Sequence, residues 1–191
     1  MPIIRVLLCA CVGIVSFAAA AVAQKPAPAQ PAPPATAEPQ TTTASYGVWT
    51  LRCQTGRQDT GAELKLCQVE QAIVPQGQQG AIAEIFVSKP TNPKEDMRVT
   101  AVMPNNITLP STPKISNGEK DVGLELTWRR CFPGGCFADA VPKEDLLRNW
   151  RAETGDNTGK LAFTDATGRP LTVQFSFRGF GQAMDALAKE K

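Results

Sequence analysis

The stretch "LTVQFSFR", residues 171–178, alternates apolar and polar side chains along its whole length. Such alternation over about four to eight residues is typical of a β-strand that has one face in the core and one in water. The sequence therefore predicts sheets that are covered on one side. The residues that this pattern places on the core side are Leu171, Val173, Phe175 and Phe177.

The same period recurs elsewhere in the chain. The stretch "VGLELTWR" (122–129) predicts a second long strand, and "AIAEIFVS" (81–88) and "MRVTAVM" (97–103) predict two more. The stretch "GKLAFTDATGRPLTVQF" (159–175) is typical of a β-hairpin that turns at residues 165–169, because Asp and Gly are frequent turn residues.

Two segments have helical spacing instead. The stretch "VPKEDLLRNWRAE" (141–153) contains Pro142, Glu144 and Asp145 near its start, and these residues suit the first turn of a helix. The stretch "FGQAMDALAKE" (180–190) places its large apolar residues on one helical face. We therefore predict a mostly β single domain, an antiparallel β-sandwich with one short helix after the cysteine-containing loop and another at the C-terminus.

The chain begins with the pattern of a secretory signal peptide. Arg5 is followed by an apolar run that ends in Ala21-Val22-Ala23. This pattern predicts a signal peptide at residues 1–23, cleaved before Gln24, and therefore export to the periplasm or the outer surface. The alternative is an uncleaved membrane anchor. A helix needs at least about 17 apolar residues to span a bilayer, and the run after Arg5 is close to that length.

Two further regions follow the predicted signal peptide. Residues 24–45 are rich in proline and alanine and contain no large apolar side chain. Such a segment buries too little surface to offset its ordering entropy, so we expect a disordered tether. The folded, disulfide-containing β domain is then predicted at residues 46–191, which is a typical size for a single core.

Four cysteines remain after the predicted signal peptide. An even number in an exported chain indicates disulfides, and four cysteines allow three pairings. Cys53 and Cys67 each fall on the apolar side of a predicted strand, which favours a bridge between them across neighbouring strands. The second bridge would then join Cys131 to Cys136.

The second cysteine pair lies in "WRRCFPGGCFADA", residues 128–140. A dithiol exchange site typically has two residues between its cysteines and lies at a helix start. A structural zinc site typically has two closely spaced cysteine pairs or combines cysteine with histidine, which this chain lacks. Here four residues separate the cysteines, so we expect a disulfide-closed hairpin tip without metal or cofactor. Arginine and aromatic residues around such a tip resemble a binding surface: Arg129, Arg130, Phe132 and Phe137. The alternative is that the rings cover the end of the sandwich and the arginines pair with local acids.

The composition excludes several function classes. The chain contains no histidine, which removes the Ser-His-Asp and Cys-His catalytic arrangements. The net charge of +2 falls to +1 once Arg5 leaves, so we expect no nucleic-acid partner and at most peripheral contact with a membrane. A hydrolase that uses carboxylates alone stays open, with the acids Glu70, Glu84, Glu125 and Asp139 as candidates.

Four stretches together resemble the invasion-associated locus B family of alphaproteobacteria. They are "YGVWTLRCQ" (46–54), "LCQVEQ" (66–71), "WRRCFPGGCFAD" (128–139) and "GRPLTVQFSFRGFGQAMDAL" (168–187). The resemblance implies a small exported envelope protein without catalytic residues, in which the four cysteines are structural. It also marks Arg130-Cys131 and Arg178-Gly179-Phe180 as family motifs of unknown role.

These observations predict a non-enzymatic envelope protein that acts by binding. Its partner would be an unidentified protein or glycan of the envelope or of a host-cell surface, and the resemblance implies a role in host-cell invasion. The first alternative is a periplasmic assembly or thiol-redox helper for other envelope proteins. The second is the carboxylate-only hydrolase.

Overall fold

The structure is a computed structural model that describes residues 40–58, 60–92, 94–118, 122–154 and 157–190. The predicted signal peptide and residues 24–39 of the predicted tether lie outside this part of the chain. The described elements, in chain order, are β1 (Gln40–Tyr46), β2 (Trp49–Arg57), β3 (Glu63–Ile73), β4 (Ala83–Ser88), β5 (Arg98–Met103), β6 (Lys114–Ser116), β7 (Leu124–Glu125), β8 (Thr127–Phe132), β9 (Gly135–Ala140), α1 (Glu144–Ala152), β10 (Thr158–Thr164), β11 (Pro170–Ser176) and α2 (Phe180–Lys189).

The strands form two antiparallel sheets. The larger sheet has the order β1-β2-β3-β4-β5-β9-β8, and the smaller has the order β11-β10-β6-β7. One hydrophobic core cluster contains residues of both sheets, for example Val69 of β3 and Leu161 of β10. The predicted mostly β, sandwich-like domain with two helices is confirmed.

The core follows the period of the strands. Alternate residues of β4 are buried, namely Ala83, Ile85 and Val87, while the residues between them are exposed or half-buried. A strand of this kind directs successive side chains to opposite faces, and burying one large aliphatic side chain contributes about 1.5–3 kcal/mol. Strand β4 is therefore held by its inner face, while Glu84, Phe86 and Ser88 on its other face are exposed or half-buried.

Both predicted helices are present and pack at one end of the core. Helix α1 has Glu144 and Asp145 in its first turn, beside the positive end of the helix dipole, and it buries Trp150. Helix α2 buries Phe180, Ala183, Met184 and Leu187. The Trp150 ring lies 6.5 Å from the Phe180 ring, which joins the two helices through an aromatic contact.

The N-terminal boundary of the domain differs from the prediction. Residues 40–45, which we assigned to the disordered tether, belong to β1 and pair with β2 from Gln40 opposite Thr55 to Tyr46 opposite Trp49. Their side chains are exposed, so no apolar pattern marks the strand. Backbone hydrogen bonds and a run of β-branched threonines support it instead.

The predicted strand at 122–129 is also wrong in one respect, because the segment changes sheets. Leu124 and Glu125 belong to the smaller sheet, whereas β8 begins at Thr127 in the larger one. Between them Leu126 is buried and its backbone N–H donates to the carbonyl oxygen of Pro113 at 2.9 Å. Val122, the first residue of the predicted strand, is 86% exposed and lies outside both strands.

Candidate binding site at the disulfide-closed tip

The tip is the turn between β8 and β9, and a disulfide closes it. Cys131 lies directly opposite Cys136 in the register of the two strands, and the bridge joins them. Gly135 has a φ of 144°, and a Cβ there would lie 2.7 Å from Val102 Cγ1 and 2.8 Å from the Met103 carbonyl oxygen. The tip can therefore approach β5 this closely only with a glycine at position 135.

A side chain outside the hairpin holds the tip in place. Asn105 Nδ2 donates hydrogen bonds to the carbonyl oxygens of Phe132 at 2.9 Å and Pro133 at 3.2 Å. Beside this anchor lies a shallow groove of about 390 Å³, lined by Asn105, Ile107, Leu109, Cys131, Phe132, Pro133 and Cys136. The disulfide and the anchor together give the tip one defined shape.

Three of the four predicted binding residues contact one another on this tip. The Phe132 and Phe137 rings meet edge to face at 5.6 Å, and the Arg130 guanidinium lies 5.0 Å from the centre of the Phe132 ring. The Phe132 side chain remains 46% exposed. Among the residues that the structure describes, Arg130 forms no ion pair with a carboxylate.

Arg129 has a different environment. A register shift between Trp128 and Arg130 leaves Arg129 in a bulge, where its Nη2 contacts Asp139 Oδ1 at 2.9 Å. Arg98 Nη1 contacts the same oxygen at 2.6 Å. Partial burial raises the pKa of Asp139, but the hydrogen bonds from Arg129 and Arg98 outweigh it and hold that pKa below its ordinary value. Among the described residues, Arg129 thus pairs with a local acid and Arg130 does not.

The cysteines form disulfides. Cys53 is bonded to Cys67 and Cys131 to Cys136, which are the two predicted bridges. In the described ranges one group of metal-type donors occurs, made by Cys53, Cys67 and Glu190 within 4.8 Å of one another. Zinc binds thiolates, and the sulfurs of a disulfide are not thiolates, so this group does not fit a metal ion.

The four candidate carboxylates have separate surroundings. Glu70 is paired with Arg52 at 3.2 Å and accepts a hydrogen bond from Gln68, and Asp139 contacts the two arginines described above. Glu84 lines a groove of about 310 Å³ that has no second carboxylate, and Glu125 lies in the smaller sheet. Two-carboxylate hydrolysis needs two such groups across one cleft, and the Glu84 groove does not supply them.

The family motif Arg178-Gly179-Phe180 lies against the turn between β1 and β2. The Val48 N–H donates to the Arg178 carbonyl oxygen at 3.1 Å. A Cβ on Gly179 would collide with the Tyr46 carbonyl, and one on Gly47 would collide with the Arg178 carbonyl. The two glycines therefore let two backbone segments touch, a structural role that the motif alone does not reveal.

A buried carboxylate that was not predicted from the sequence lies at the turn between β10 and β11. Asp165 is buried, and its Oδ1 accepts hydrogen bonds from the Thr167 hydroxyl, the Thr167 N–H and the Arg169 N–H. These bonds, the Thr167 hydroxyl first, lower the pKa of Asp165 far below its ordinary value. The "DATGR" turn pattern is the signal that could have identified it.

Two antiparallel sheets, two disulfides and an exposed arginine–aromatic tip define a small, disulfide-closed β-sandwich protein. The family model described as "Invasion associated locus B (IalB) protein" matches residues 49–188. The chain therefore belongs to the invasion associated locus B family, as its motifs predicted.

The crystal structure of invasion associated protein b from Bartonella henselae is similar to this chain, with a TM-score of 0.62 and 22% sequence identity. The match covers 77% of this chain and 96% of that one, and at this identity it concerns the fold. A comparison with curated proteins finds no match. Over the described residues, no helix has the length and apolar character needed to cross a membrane.

Proposed function

We propose that this chain is an exported, non-enzymatic protein of the bacterial envelope that binds a partner through the disulfide-closed tip. The single observation that carries the proposal is the contact set of exposed Arg130, exposed Phe132 and half-buried Phe137 on a disulfide-closed hairpin. The partner is a protein or glycan of the envelope or of a host-cell surface. The family name and the printed name of the Bartonella protein support a role in invasion.

The composition and rigidity of the tip favour binding. Arginine and large aromatic residues are enriched among the side chains that contribute most to interfaces. Immobilising a mobile side chain on binding costs about 0.5–1.5 kcal/mol, and a surface that is already ordered avoids much of this cost. Since Arg130 has no described carboxylate partner, we propose that the partner presents an acidic group next to an apolar surface.

The two disulfides support export. Such bonds persist in oxidising compartments and are rare in the cytosol. The signal-peptide pattern of residues 1–23 leads to the same compartment. We propose the periplasm or the outer surface as the location, with the membrane contacted peripherally or through an uncleaved signal.

The test compares binding of the exported chain and its variants to intact host cells and to isolated envelope fractions. We expect the double variant Arg130→Ala, Phe132→Ala to weaken binding at least about tenfold, which corresponds to about 1.4 kcal/mol. The control is Arg148→Ala, an exposed arginine on α1 and outside the tip. Equal binding by the wild type and the double variant would contradict a role for the tip.

The same preparations test the two alternatives. Trapping of free thiols at Cys131 and Cys136 in the native envelope would favour the redox helper. Turnover of a panel of glycans, peptides and esters that is lost in Glu84→Gln would favour the hydrolase. Either result would replace the binding proposal.

A further inference from the structure

The larger sheet has two edges with opposite properties. Its β8 edge carries Arg129 and Arg130, a bulge, and a disulfide to β9. Charges and bulges of this kind are devices by which natural sheets prevent pairing with another chain. Its β1 edge, "QTTTASY", has no charge, no proline and no register shift along its seven pairs with β2.

The smaller sheet also protects its edges. Strand β7 has two residues, which is too short to template a long pairing. Strand β11 begins with Pro170, and at its other end Gln71 Oε1 accepts the Ser176 N–H while Trp49 Nε1 donates to the Ser176 carbonyl oxygen. Among the four described sheet edges, β1 alone lacks such protection.

We propose that the β1 edge pairs with β1 of a second copy of this chain, so that the two larger sheets join into one. In an antiparallel ladder alternate residues direct their N–H and C=O groups away from the neighbouring strand, so β1 presents backbone groups at its outer edge that pair with no described strand. A two-fold pairing centred on Thr43 sets Thr43 against its copy, Thr42 against Ala44 and Gln40 against Tyr46. Such an interface is self-complementary and contains no like-charge pair.

Three observations favour a second copy over another occupant. The strand carries no charge that would select a partner of opposite sign. Pro39 precedes it directly and lacks the N–H that a longer ladder would need, so the pairing ends where β1 ends. In a two-fold antiparallel pair the two Gln40 ends of β1 lie at opposite ends of the ladder.

The dimer has a consequence for the proposed function. Strand β8 forms the edge opposite β1, so the joined sheet carries one tip at each end. Two linked tips bind a surface that presents many partners more strongly than one tip does. The dimer itself does not depend on the tip, so its test is separate from the binding test.

The test is the mass of the exported chain in solution, measured by sedimentation equilibrium over a range of concentrations. We expect a reversible dimer whose dissociation constant rises at least about tenfold in Thr43→Lys, because two lysines then meet at the two-fold axis. The matched control is Thr127→Lys, the same change at an exposed position of the β8 edge, and it should leave dimerisation unchanged.

Hydrogen exchange locates the interface independently. Backbone amides of residues 40–46 should exchange more slowly as the protein concentration rises, whereas those of β8 should not change. A protein that stays monomeric at every concentration would overturn the proposal. A strand of a different protein would then be the next candidate to pair with the β1 edge. A dimer that Thr43→Lys does not weaken, or whose β1 amides show no added protection, would overturn it as well.

Discussion

The indole Nε1 of Trp49 donates a hydrogen bond to the carbonyl oxygen of Ser176 at 2.8 Å, across 127 positions of the chain. Both Trp49 and Trp150 are buried in the same aromatic cluster, and the Trp49 ring lies 4.8 Å from Phe180. The Nε1 of Trp150, by contrast, has no hydrogen-bond partner among the described residues. Trp49 thus makes a hydrogen bond between the two sheets, whereas Trp150 makes none among the described residues.

This difference predicts unequal costs of two similar substitutions. Trp49→Phe removes indole volume and leaves the Ser176 carbonyl oxygen without its donor, whereas Trp150→Phe removes the same volume and no hydrogen bond. We expect Trp49→Phe to lower the free energy of unfolding by about 1–3 kcal/mol more than Trp150→Phe. Urea denaturation of both variants measures the difference, and equal losses would show that the hydrogen bond contributes nothing.

The contact of the Arg178-Gly179-Phe180 motif with the turn between β1 and β2 predicts a second pair of effects. Gly179 and Gly168 both have positive φ, 91° and 83°, but an added Cβ meets the Tyr46 carbonyl at Gly179 and nothing within 4 Å at Gly168. Gly168→Ala should therefore cost about 1–2 kcal/mol from backbone strain alone. Gly179→Ala should cost about 1–3 kcal/mol more, from the collision. Thermal or urea unfolding of the two variants would contradict this explanation if Gly168→Ala were the more damaging.

The Asp165 turn predicts a dependence of stability on pH. Because the folded-state pKa of Asp165 lies below its unfolded value of about 3.9, its contribution is complete above that value and is lost as the pH falls below it. Asp165→Asn should be less stable than the wild type at pH 7 and should lose less stability between about pH 5 and 2.

Denaturation curves across this pH range test the Asp165 prediction. The control is Asp96→Asn, an exposed carboxyl without a hydrogen bond to any described residue. It should follow the wild-type curve. An Asp165→Asn variant with the same acid slope as the wild type would assign the acid sensitivity to other carboxyls.

The two disulfides predict separable effects on stability and binding. The Cys53–Cys67 bridge spans 14 positions and the Cys131–Cys136 bridge spans 5. In the chain-entropy model their removal by paired Cys→Ala substitution costs about 3 and about 2 kcal/mol. Removal of the Cys131–Cys136 bridge should weaken binding more than removal of the Cys53–Cys67 bridge, because only the Cys131–Cys136 bridge closes the tip. Loss of binding in the Cys53→Ala, Cys67→Ala variant while it remains folded would argue against the tip as the binding surface.

Much of this fold follows from local patterns. The hairpin at 159–175, both helices and both disulfides could be predicted, because alternation, helical spacing and cysteine parity report which side of an element is buried. The four tip residues could be selected by type and position. The different environments of the two arginines could not be predicted, because they depend on the bulge after Trp128, which shifts the register. As a result Arg129 lies beside Asp139, whereas Arg130 contacts Phe132.

The sequence by itself determined the family, both helices and most of the longer strands, and it indicated the buried side of strands such as β4. Only the tertiary structure decided which sheet each strand joins, as the change between Glu125 and Thr127 shows, and that β1 forms without any buried side chain. The physical reason is that alternation records burial and not the identity of the neighbour. Backbone pairing, and the close approach of Gly47 to Gly179, depend on segments that are distant in the chain and leave no local pattern.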